Sequence, residues 1–189
     1  MLRFNNKLMT YNNKLCGSAI EPPSPVFPYQ TVTIGTQTWM AESLREDDGQ
    51  DGVYKRENVT VNGVNYGDVY TYTQAAALRI ANNIDGWHLP SRSEVNTLVN
   101  YVNNGNYNSD LVIKLKSTTG WPSGYEGTDL YGWNMKPVGW TYTDEREVLN
   151  EYVMWETSND RWYMTYDNRT GNGGAPSGQM FVVRLIKDT

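Results

Sequence analysis

Histidine and cysteine are almost missing from this 189-residue chain, long apolar runs are missing altogether, and each gap excludes a class of function. The one cysteine, Cys16, can form no internal disulfide, so no redox compartment follows from it. It reads as a plain small side chain near the N-terminus. The one histidine, His88, would have to serve any Ser-His or Cys-His catalytic pair. A catalytic zinc site needs more His, Cys or acidic ligands than cluster anywhere in the sequence. No stretch approaches the ~20 apolar residues of a membrane span. The first residues do not form a signal peptide, because Asn and Lys recur where an apolar segment belongs. Lys and Arg are also scarce, 16 against 21 acidic residues, and the net charge of −5 argues against a nucleic-acid partner.

Aromatics and asparagine are abundant instead. Seven Trp and 14 Tyr exceed what one core requires, so some belong at a surface, where Tyr and Trp suit recognition. Twenty Asn, with Gly and Thr, predict a loop-heavy fold of short elements.

The first seventeen residues hold a repeat, Phe4-Asn5-Asn6-Lys7-Leu8 and then Tyr11-Asn12-Asn13-Lys14-Leu15. Residues 1–20 read as a docking arm that seats the protein on a larger virion or surface assembly. Four prolines within residues 21–28 make a stiff linker, and the domain is expected over 29–189. Val32 and Ile34 alternate with Thr31 and Thr33 as a half-buried strand does, and Gln37–Met40 returns after Gly35-Thr36. Glu46–Gly52 reads as a solvated loop. Its Asp47, Asp48 and Asp51 could hold calcium but lack the EF-hand order, so no cofactor is expected and calcium stays unsupported. Asn62-Gly63 between Val59-Thr60-Val61 and Val64-Asn65-Tyr66 signals a hairpin.

Two helices are expected, from Gln74 to about Asn82 behind a Thr73 cap, and from about Ser91 to Val102. Between them Gly86-Trp87-His88-Leu89-Pro90 forms a packed turn, with Ser91 and Glu94 spaced as a capping box. That packing makes His88 a structural residue rather than a catalyst. Leu111–Leu115 is ambiguous between helix and strand, and 117–140 reads as irregular, anchored by Trp121, Trp133 and Trp140. Glu151–Trp155 and Trp162–Tyr166 read as strands, Asp167–Gly178 as a loop, and Phe181–Ile186 as a central closing strand.

Several of these segments resemble one family. Val32-x-Ile34-Gly35-x-Gln37-x-Trp39-Met40-Ala41-Glu42-x-Leu44 is similar to the opening of the Fibrobacter succinogenes major paralogous domain. Gly67-x-Val69-Tyr70-Thr71, Gly86-Trp87-His88-Leu89-Pro90-Ser91, Leu115–Trp121, Gly127–Trp133, Trp155-x-Thr157-Ser158 and Val183–Asp188 follow in order, over about residues 29–189. The resemblance implies an α+β, C-type lectin-like fold, two helices on short antiparallel sheets with paired N- and C-terminal strands. A long irregular region would carry the ligand surface. That fold is shared with formylglycine-generating enzymes and with the variable proteins of diversity-generating retroelements. Leu185 stands where the family often has Cys, so any family disulfide there is absent. Enzymes of the formylglycine-generating type depend on cysteines in their late strands, which this chain lacks. The Glu-Pro-Asn or Gln-Pro-Asp triplet of calcium-dependent sugar-binding lectins is also missing.

Carboxylates such as Asp144, Glu145 and Glu147, or Glu151 with Glu156, read as solvated charges rather than an acid/base pair. A recognition surface remains. Trp155, Asn159, Arg161, Trp162, Tyr163, Tyr166, Asn168 and Arg169 combine rigid aromatics with adaptable polar groups, as paratopes do. The expected function is a non-catalytic receptor-binding module for a surface glycan or protein, working outside the cell on a phage virion or bacterial surface. A homo-oligomer is compatible with it. The alternative is a structural or decoration protein with no ligand of its own, and an enzyme of the formylglycine-generating type ranks third.

Overall fold

Alternating Thr and branched apolar residues build β1 (Thr31–Ile34), which Gly35 turns into β2 (Gln37–Met40). Gly35 has φ +63°, and a Cβ there would come within 2.8 Å of the Tyr101 ring, so glycine is required twice over. The computed structural model describes residues 28–155 and 160–188. The docking arm, and the linker as far as residue 27, lie outside the described residues.

β3 (Val53–Arg56), β4 (Thr60–Val61), β5 (Val64–Asn65) and β6 (Val69–Tyr72) follow. β3 pairs with β6, and β4 with β5 across Asn62 and Gly63, both at positive φ as a type I′ turn needs. Thr73 caps α1 (Gln74–Ala81), its side chain accepting from Ala76 N. The packed turn contains β7 (Trp87–His88) and leads into α2 (Arg92–Asn103) through a complete capping box. Ser91 accepts from Glu94 N, and the Glu94 carboxylate accepts from Ser91 N. A third helix, α3 (Ser109–Leu115), settles the ambiguous stretch, because Asn108 Oδ1 accepts from Asp110 N and Leu111 N.

The late half is strand-rich: β8 (Trp140–Tyr142), β9 (Glu147–Val148), β10 (Glu151–Trp155), β11 (Asp160–Thr165), β12 (Thr170–Gly174), β13 (Gln179–Met180) and β14 (Ile186–Lys187). The fold is mixed α+β, with three helices and several short antiparallel sheets among the described residues. β14 lies between β2 and β7, so the closing strand is inserted beside the opening hairpin.

Two sequence expectations change here. The Gly/Asn-rich 170–174 stretch is a strand, pairing with β11 across five register positions. The closing segment is not one continuous strand. Phe181 exchanges hydrogen bonds with Tyr72, Val182 N donates to Val153 O, and Val183 O and Leu185 O accept from Leu44 N and Met40 N. It stays fully buried while its partners change.

Two apolar clusters form the core. One gathers α2, α3 and the inner face of β10 and β11 around Trp133, whose ring meets Trp39 at 5.1 Å and Trp162 at 6.2 Å, edge-on to both. The other packs α1, Leu89, Trp155, Phe181 and Leu185.

Candidate ligand-binding cleft

The β10–β11–β12 sheet sorts its side chains by alternation. Tyr152, Met154, Trp162 and Met164 point inward and are buried. Glu151, Val153, Arg161, Tyr163 and Thr165 share the opposite face. There a cleft of about 390 Å³ opens between this sheet and the β8 and β13 strands. Trp140 and Tyr142 line it from β8, Gln179 from β13, Arg161 and Tyr163 from β11, and Arg169 from the turn that follows, and Tyr163, laid against Gly171 of β12, makes the sheet side its floor.

The polar groups of the cleft keep hydrogen-bonding capacity free. Arg161 Nη1 donates to Gln179 Oε1 at 2.8 Å, and its guanidinium lies 5.9 Å from the Tyr163 ring centre and 5.8 Å from that of Phe181. Trp140 Nε1 donates to Glu151 Oε2 at 2.8 Å, leaving Oε1 open. Among the described residues, nothing hydrogen-bonds the Tyr163 hydroxyl or the Gln179 amide nitrogen. Arg169 pairs with Asp167 at 2.9 Å, and the hydrogen bond from Thr165, with that from Arg169, holds the Asp167 carboxyl below its usual range. Tyr163 lies flat across Gly171, where a Cβ would come within 2.9 Å of its hydroxyl oxygen. A second hollow of about 310 Å³, lined by Thr73, Thr143, Trp155 and Pro176 among others, meets the first at Gln179.

The eight residues expected at a recognition surface separate. Arg161, Tyr163 and Arg169 line the cleft. Trp162 belongs to the inner face, where Trp133 packs against it and Thr170 Oγ1 accepts from its Nε1 at 3.1 Å. Trp155 is buried against Phe181, donates to Tyr72 O at 2.6 Å, and reaches only the second hollow. Tyr166 is exposed on another side, edge-on to Tyr125 at 5.5 Å. Asn168 holds a left-handed turn position, φ +63°, and its Oδ1 accepts from Lys116 Nζ at 2.8 Å. Asn159 lies outside the described residues.

Trp140, Tyr142, Glu151 and Gln179 complete the cleft and escaped the sequence reading as site residues. Glu151 had a usable signal: its two-residue offset from Val153 places it on the face of Tyr163 once β10 is paired with β11. Gln179 had none, since β13 reaches the cleft only through its pairing with β8.

The other groups with chemical potential are committed elsewhere. His88 stands between two carboxylates, Nδ1 2.6 Å from Asp188 and Nε2 2.8 Å from Glu94. Burial alone would lower its pKa, but the hydrogen bonds to Asp188 and Glu94 outweigh that and raise it above the ordinary value. Lys116, buried, donates to Tyr125 O, Tyr166 O and Asn168 Oδ1, each at 2.8 Å. Burial pushes its pKa down to about 8. Asp48 is taken up by Arg79 at 2.6 Å. Among the described residues, no group of three or more His, Cys, Asp or Glu could hold a metal, and no helix is long and apolar enough to cross a membrane.

Comparison of the chain with protein-family models, with curated proteins and with solved structures finds no match in any of the three.

Proposed function

We propose that this chain is a non-catalytic recognition module of C-type lectin-like architecture, binding a surface glycan or protein in the cleft floored by Tyr163. The residue 1–20 arm would carry it on a phage virion or bacterial surface. One observation carries the reading: an aromatic floor is ringed by hydrogen-bonding groups whose capacity the protein leaves partly unused. Ligand sites combine apolar surface with a few placed polar groups in this way, and about 390 Å³ falls in their usual range of roughly 300–1,000 Å³. Catalysis has less to draw on. The single histidine is held on both ring nitrogens, and the lysine with the depressed pKa spends its donors on three internal acceptors.

A glycan array probed with the full chain, with and without calcium, tests the reading. Binding to a defined glycan set is expected, and Tyr163→Ala should abolish it while the circular dichroism spectrum stays unchanged. Absence of binding in both conditions removes the glycan arm. Binding that survives Tyr163→Ala removes the cleft.

A further inference from the structure

Among the described residues, most arginines in this acidic chain are spoken for. Arg45, Arg56, Arg79, Arg92, Arg146 and Arg169 each reach a carboxylate within 4 Å. Arg184 is buried and donates to the backbone carbonyls of Trp133 and Asn134. Arg161 differs from them all. Among the described residues its only hydrogen-bond partner is the neutral amide oxygen of Gln179, and no carboxylate lies within ion-pair distance. With 21 acidic residues against 16 basic ones, an arginine left without an acid partner is against expectation. It is also the arginine at the end of the cleft, flanked by the Tyr163 and Phe181 rings. Gln179 engages one nitrogen of its fork, and its remaining N–H groups are available to a planar anion.

Resting on the recognition reading above, we propose that the ligand is an acidic saccharide, a uronic- or sialic-type sugar whose carboxylate pairs with Arg161 while its ring lies on Tyr163. The surrounding groups match the remainder of such a sugar. Glu151 Oε1 is an open acceptor, the Gln179 amide an open donor, and the Tyr163 hydroxyl either, as ring hydroxyls require. Among the described residues Arg161 is the cleft cation without a carboxylate partner, which suits a monoanionic carboxylate. A phosphate would call for more, and the second cleft arginine is already neutralised by Asp167 at 2.9 Å. An acidic peptide would use the same guanidinium but would leave the flat Tyr163 floor without a ring to cover it.

The test uses the full chain and paired probes, acidic oligosaccharides ending in a uronic or sialic acid and the same oligosaccharides with each carboxylate methyl-esterified, alongside neutral glycans. The acid form should bind at least about tenfold more tightly than its ester, the size of one charge-assisted hydrogen bond. Arg161→Gln should erase that difference, acid and ester then binding alike. Equal affinity of acid and ester for the unaltered chain, or binding of neutral glycans alone, overturns the acidic-sugar inference and leaves the recognition module standing. No glycan bound by the unaltered chain overturns the inference together with the glycan reading. The acid–ester comparison needs no variant, so a poorly folding Arg161→Gln cannot obscure the outcome.

Discussion

At the scale of single residues, two contacts bear on the shape of the cleft. Tyr163 can lie flat only because position 171 has no Cβ, and an added methyl would fall within 2.9 Å of its hydroxyl. Gly171→Ala should therefore lift the ring off the floor. Ligand affinity is expected to fall about tenfold or more while the urea midpoint moves little, since the residue lies on a part-exposed strand. Unchanged affinity would show that the ligand does not use the Tyr163 face. Lys116 acts from beneath, because Tyr166 O and Asn168 Oδ1 are the acceptors that hold the turn ahead of Arg169. Lys116→Met strands three part-buried acceptors and should cost about 1–3 kcal/mol in denaturant unfolding. The same lysine sets a pH signature. Its folded pKa is depressed to about 8, so the unfolded chain holds the proton more tightly. Its unfavourable contribution is complete below that pH and fades as pH rises toward the ordinary value of about 10.4. The stability gap between the unaltered chain and Lys116→Met should thus widen over that interval. A constant gap would mean the ammonium is not desolvated.

At the scale of elements, the turn from Gly86 to Glu94 is a lock. Glu94 caps α2 through Ser91 and also receives His88, which in turn reaches Asp188 just beyond the closing strand. The lock is charged on both partners across a narrow pH window and loses one charge at either end. The His88 pKa is raised, so its contribution is complete below the ordinary value of about 6.5 and is lost as pH climbs through the folded value. Burial alone would raise the Glu94 pKa, but the bonds from Ser91 and His88 lower it, so its contribution is present above about 4.3 and lost as pH falls through the folded value. Thermal unfolding should show a stability maximum between those limits that His88→Gln removes. Ser91→Ala should cost about 1 kcal/mol at any pH in the range. This turn was legible in the sequence because its signals are local: a proline, a serine and a glutamate at fixed spacing. The 170–174 strand was not, because Thr-Gly-Asn-Gly-Gly carries loop chemistry. It becomes a strand through tertiary demand, β11 supplying the partner and Tyr163 needing a neighbour without a side chain.

At the scale of the whole molecule, the same distinction explains why only part of the site could be read in advance. Arg161 and Tyr163 announced themselves by type, and alternation separated them from Trp162 once the strand direction was known. Trp155 shares a face with Val153, and both are buried in the second core cluster: Phe181 covers Trp155, a contact across 26 residues of chain that no local pattern encodes. The three tryptophans Trp39, Trp133 and Trp162 show what such contacts accomplish. Trp39 comes from the opening hairpin, Trp133 from the irregular middle and Trp162 from the cleft sheet, and Trp133 touches both of the others. That irregular stretch is tied to the end of α3 by backbone bonds such as Ser117 N to Met135 O and Met135 N to Leu115 O, and Trp133 anchors it between the other two rings, with Arg184 donating to the carbonyls of Trp133 and Asn134. Trp133→Ala should cost about 3–5 kcal/mol, a large share of the stability of a domain this size. Trp133→Phe should recover part of the loss by keeping an edge-on ring. If the ladder joins the opening hairpin to the cleft sheet, both variants should lower protection of Trp39 and Trp162 amides together in hydrogen exchange. Loss of protection at Trp162 alone would mean that the cleft sheet opens as a unit independent of the hairpin, and its ligand affinity would then be insensitive to substitutions in β1 and β2.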